Sequence, residues 1–115
     1  MSFKFEELRV YQKAISFSNF IYEITKSWPS TYRFNLTDQI IRAALSIPLN
    51  IAEGSGRTSK DFQHFLSISR GSCYECIALI TIAYQQKLIT EEQYKELRET
   101  IDFIARMLSS LKNKI

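Results

Sequence analysis

Glycine and proline are scarce in this chain: its 115 residues hold three of the first and two of the second. Few breakers leave the backbone in a small number of long segments. Two cysteines are too few for a disulfide scaffold and suit a reducing compartment. The opening residues, Met-Ser-Phe-Lys-Phe-Glu-Glu, lack the apolar region that secretion needs, and no long apolar run follows them. These absences predict a soluble cytoplasmic protein with no membrane partner. A large charge imbalance is missing too. The net charge of +3 and a pI near 8.9 permit a nucleic-acid or other anionic partner without requiring one.

What is present is a core. Hydrophobic residues make up 45%, enough for one domain, residues 1–115, to fold without metals or disulfides. Aromatics are abundant, with eight Phe, six Tyr and one Trp. Pro29, Gly54, Gly56 and the Leu88–Thr90 stretch divide the chain into four segments, none alternating with period two. The spacing predicts helices over about 6–27, 37–54, 59–86 and 91–113. Thr37 is the expected cap of the second and Thr58 or Ser59 that of the third. Thr90 and Gln93 form a capping box for the fourth. Four helices joined by short breaks predict an all-α, up-down-up-down antiparallel four-helix bundle.

The fourth helix has one clean seam: Tyr94, Leu97, Ile101, Ile104, Leu108, Leu111 and Ile115 recur at spacings of three and four. The first is different. At about 100° per residue, Val10, Tyr11, Ala14, Ile15, Phe17, Phe20, Ile21, Tyr22 and Ile24 cover roughly two-thirds of its circumference. That surplus predicts a second burial surface and so a homo-oligomer, unless the helix lies centrally in a monomer.

The second helix carries a proline, Pro48, which predicts a bend. Leu36, Ile40, Ala43, Ala44, Ile47 and Ile51 form its core face. Gln39, Arg42, Ser46, Asn50 and Glu53 fall on the side away from it, with Arg57 following in the loop. Ser and Asn are poor helix formers with compact hydrogen-bonding groups, so the stripe reads as a contact surface rather than a solvated face. Antiparallel partners on the second and third helices should have numbers summing to roughly 115. That register places Glu75 within reach of Arg42 and predicts an ion pair, within a subunit or between subunits. Gly71 and Ser72 lie mid-helix, where close approach of another backbone would explain the glycine.

The run Q-I-I-R-A-A-L-S-I-P-L-N-I-A-E-G-S-G-R-T-S from Gln39, then D-F-Q-H-F-L and G-S-C-Y-E, resembles the four-helix bundle proteins encoded by intervening sequences within bacterial 23S rRNA genes. The accessory proteins of diversity-generating retroelements are similar. The resemblance runs from F-E-E-L-R-V-Y-Q-K-A to M-L-S-S-L. It implies a homo-oligomer, a pentamer of four-helix subunits, and does not imply a catalytic activity; a non-enzymatic protein without a cofactor is expected. It also implies a link to structured RNA, or to a reverse transcriptase and its template. Arg42, Asn50, Glu53, Gly54, Ser72 and Glu75 stand where the family pattern is most recognisable. Ile41 departs from it, since many members carry a second arginine there.

The predicted topology gathers the start of helix 1, the loop between helices 2 and 3 and the end of helix 4 at one pole. Lys4, Arg9, Arg57, Lys60, Arg106, Lys112 and Lys114 collect there against fewer acids, which suits contact with RNA or DNA phosphates. The opposite pole is slightly acidic, with Glu23, Asp38, Glu91 and Glu92 against Lys26, Arg33 and Lys87. A structural adaptor that binds a protein and no nucleic acid is the alternative, favoured by the aromatics of helix 1. Cys73 and Cys76 are spaced Cys-x-x-Cys but sit mid-helix on an apolar face, so they read as core, and no metal set surrounds them. Arg57 and His64 carry a weak enzyme reading, an all-α ribonuclease in which His64 would move a proton and Arg57 stabilise phosphate charge.

Overall fold

A computed structural model describes residues 3–115. Four long helices account for most of it, and no strand occurs among the described residues: α1, Arg9–Thr25; α2, Asp38–Ser55; α3, Ser59–Gln85; and α4, Glu91–Lys114. A single 3₁₀ turn, Lys4–Glu7, precedes α1, which therefore begins three residues later than the expected 6 and ends two residues before 27. The whole measures 42 × 24 × 22 Å, the long dimension set by α3, whose 27 residues rise about 40 Å.

The helix ends follow local chemistry. Thr58 Oγ1 accepts from the Asp61 amide at 3.2 Å to open α3. At α4, Thr90 Oγ1 accepts from Gln93 N and the Gln93 side chain accepts from Thr90 N, at 3.0 and 2.9 Å. Helix α3 stops in a Schellman turn: Leu88 N donates to Ala83 O and Lys87 N to Tyr84 O, with Lys87 in the left-handed region at φ 62°. Thr37, expected to cap α2, does not. Its backbone is already helical and its hydroxyl caps nothing, because a 3₁₀ turn (Ser30–Tyr32) and a π turn (Arg33–Thr37) lead straight into α2. Helix α2 runs unbroken through Pro48.

The core is one apolar cluster to which every helix contributes. Val10, Ala14, Phe17 and Ile21 come from α1, and Ile40, Ala43, Ala44, Ile47 and Ile51 from α2. Leu66, Cys73, Cys76, Leu79 and Ile80 come from α3, and Leu97, Ile101, Ile104 and Leu108 from α4. By length and composition α3 could cross a membrane, at a mean hydropathy of 1.2, but these five side chains are buried in the bundle. Burial pushes the Cys73 thiol up to about 12 and the Cys76 thiol higher still, so neither is a ready nucleophile at neutral pH. Helix α3 packs extensively on both α2 and α4. Helix α1 packs mainly on α2 and only thinly on α4. Cavities of about 170 and 190 Å³ lie along that thin seam, partly bridged where Arg9 and Lys13 stack over the Phe103 ring.

Candidate nucleic-acid interface

The α2 stripe is not one surface. Ser46 and Asn50 are half-buried and turn towards α3. Ser72 Oγ donates to Ser46 Oγ at 2.8 Å, and Asn50 Nδ2 reaches Ser46 O and Oγ at 2.8 and 3.0 Å. One turn along, the buried Ser69 hydroxyl donates to Ile47 O at 2.9 Å. Nearer the start of α2, Gln39 Nε2 donates to Glu75 Oε2 at 2.5 Å. The partners 39–75, 46–72 and 47–69 keep the expected antiparallel register. Compact polar groups serve here because the two helices approach closely, which long side chains would prevent.

The Arg42–Glu75 ion pair does not form within the chain. Arg42 Nε instead bonds Asp38 one turn back at 3.0 Å, on the same exposed helix face, while Gln39 takes Glu75. The close helix approach expected at Gly71 lies elsewhere as well. A Cβ on Gly71 would meet nothing within 4 Å, whereas one on Gly54 would stand 2.6 Å from Phe65 Cβ.

At the pole beyond Gly54, a cavity of about 360 Å³ is lined by Lys4, Phe5 and Leu8, by Ser55, Arg57, Ser59 and Phe62, and by Leu111 and Ile115. The beginning of the chain, the α2–α3 junction and the end of α4 therefore meet there. Arg9 and Lys114 line the adjoining α1–α4 cavity, and Lys60 follows Ser59 on the exposed start of α3. These cations differ in availability. Arg57 binds Glu53 Oε2 at 3.2 Å and stacks 5.0 Å over the Phe65 ring, and Arg106 binds Asp102 at 3.0 Å. Lys4, Lys60, Lys112 and Lys114 have no carboxylate within 4 Å among the described residues. At the opposite pole, Glu23 pairs with Lys26 and Glu91 with Lys95.

Lys112 also belongs to a second groove, between α3 and α4, of about 370 Å³. Ser67, Arg70, Gly71 and Tyr74 line one side and Ser109, Lys112 and Asn113 the other. Arg70 lies 5.1 Å over the Tyr74 ring, which is 56% exposed. The i,i+4 spacing of Arg70 and Tyr74 on one helix face is the signal that the sequence offers for this pair.

The model of the 23S rRNA-intervening sequence protein family matches residues 6–110. The chain belongs to that family. A crystal structure from Bacteroides thetaiotaomicron, described as a protein of unknown function from the S23 ribosomal protein family, superposes with a TM-score of 0.83. The two are 25% identical, over 90% of this chain and 95% of that one. No curated protein matches. The two ribonuclease candidates both lie against Phe65. Arg57 is engaged by Glu53 and Phe65, and the exposed His64 ring meets the Phe65 ring edge-on at 6.0 Å.

Proposed function

We propose that this protein is a non-enzymatic RNA-binding bundle of up-down-up-down topology that holds structured RNA at its basic pole. The observation that carries this reading is the convergence of Lys4, Arg57 and the ends of three chain segments on one cavity, with Lys60 and Lys114 close by, Lys112 in the α3–α4 groove, and no carboxylate within 4 Å of these lysines among the described residues. Amines without internal partners attract phosphates and release counterions on binding. Membership of a family named for the 23S rRNA intervening sequence supports RNA as the ligand.

The working form is a homo-oligomer, and five copies is the number the family resemblance implies. Ile15 and Tyr22, neighbours on one flank of α1, are 37% and 43% exposed, an apolar surface that a second copy would cover. A ring would repeat the basic pole and raise its avidity. The same apolar surface is what an adaptor for a protein partner, such as a reverse transcriptase, would use.

The test reverses charge at Lys4, Lys60 and Lys114 together, leaving Arg57 with Glu53 and Lys112 in its groove. Binding of a structured RNA, measured across salt concentrations, should weaken by two orders of magnitude or more, and the salt slope should flatten by roughly one unit per lost phosphate contact. Unchanged affinity and slope would leave the adaptor reading standing instead.

A further inference from the structure

We infer that the groove between α3 and α4 is a stacking subsite for single-stranded nucleic acid, continuous with the basic pole through Lys112. This rests on the RNA-binding reading and extends it to a second kind of contact. Gly71 is the first indication. It sits exposed in the interior of a 27-residue helix, where glycine weakens the helix, and a Cβ there would meet nothing within 4 Å among the described residues. The missing side chain opens the wall of the groove instead. Beside it stands Tyr74, whose ring already supports the Arg70 guanidinium at 5.1 Å. A flat cation layered on an exposed ring offers a nucleobase a π face and offers its phosphate a charge.

The lining favours nucleic acid over protein. Arg70 and Lys112 are its charged members, and no carboxylate lines it. Ser67, Ser109 and Asn113 supply hydrogen-bonding groups for base edges and sugars. A second copy of the chain would be better met by the apolar residues of α1. A duplex keeps its bases stacked on one another, so the ring at Tyr74 selects unpaired nucleotides.

The experiment measures fluorescence anisotropy of a labelled ten-nucleotide oligouridine and of a blunt RNA duplex, with light scattering on every variant. Tyr74→Leu should weaken oligouridine binding by about tenfold, in line with loss of one stacked base, and leave duplex binding unchanged. Tyr74→Phe should restore it, and Gly71→Gln, which fills the groove, should weaken it like Tyr74→Leu. The pole variant at Lys4, Lys60 and Lys114 should lose both ligands. Oligouridine binding that survives Tyr74→Leu overturns the subsite while a pole effect on the duplex keeps the pole. A change of mass in Tyr74→Leu or Gly71→Gln would make the occupant a second copy and overturn it too. Wild-type protein that binds neither ligand removes both readings.

Discussion

At Gly54 a side chain would have nowhere to go. Its Cβ would fall 2.6 Å from Phe65 Cβ and 3.0 Å from Phe62 Cδ1, and Phe65 Cβ is too close to its own backbone to swing aside. Gly71 is the reverse case, a helix position with open space around it. Gly54→Ala should therefore destabilise the fold by about 1–3 kcal/mol through overpacking. Gly71→Ala should stabilise it by about 1 kcal/mol through helix propensity. Urea denaturation of both variants checks the pair, and equal signs would contradict the geometry. The sequence places Gly54 at a helix end and Gly71 mid-helix, which assigns the close approach to the wrong one of the two. The difference is in what the neighbouring helix brings opposite, Phe65 in one case and open space in the other.

Between elements, the α2–α3 seam is defined by polar contacts as much as by apolar packing. The 2.8 Å bond between Ser46 and Ser72 couples the two hydroxyls. A double-mutant cycle of Ser46→Ala and Ser72→Ala should return an interaction of about 0.5 kcal/mol or more, and strict additivity would mean the bond is not made. Much of this seam was legible beforehand. Helical spacing identified Ile40, Ala43, Ala44, Ile47 and Ile51 as core, the caps at Thr58 and Thr90 followed from their side chains, and the antiparallel register set which levels of α2 and α3 face each other. What escaped was decided by competition among neighbours. Arg42 could reach Asp38 or Glu75, and Gln39 was equally able to reach Glu75, a choice set by rotamers rather than by spacing. Thr37 lost its capping role for a similar reason, since the turns before it already supply a helical entry. The Arg70–Tyr74 groove was missed because its two walls lie on α3 and α4, nearly forty residues apart in sequence.

On the scale of the whole molecule, formal charge is a poor guide to the surface. A net +3 conceals a pole whose lysines have no carboxylate within 4 Å among the described residues, while Glu23, Asp38 and Glu91 at the opposite end are taken up by neighbours within one turn. The packing is as uneven as the charge. The thin α1–α4 seam, with a cavity at each of two levels, has a meaning in time as well as in space. An element held on one side is the first to swing away, so α1 should open while the α2–α3–α4 core stays closed. Native-state hydrogen exchange would then release the α1 amides ahead of those around Ile47, Ser69 and Cys76. Uniform protection across all four helices would argue against such partial opening. A bundle that breathes at α1 would uncover Val10, Ala14, Phe17 and Ile21 in the same motion, the side chains with which a single copy closes on itself.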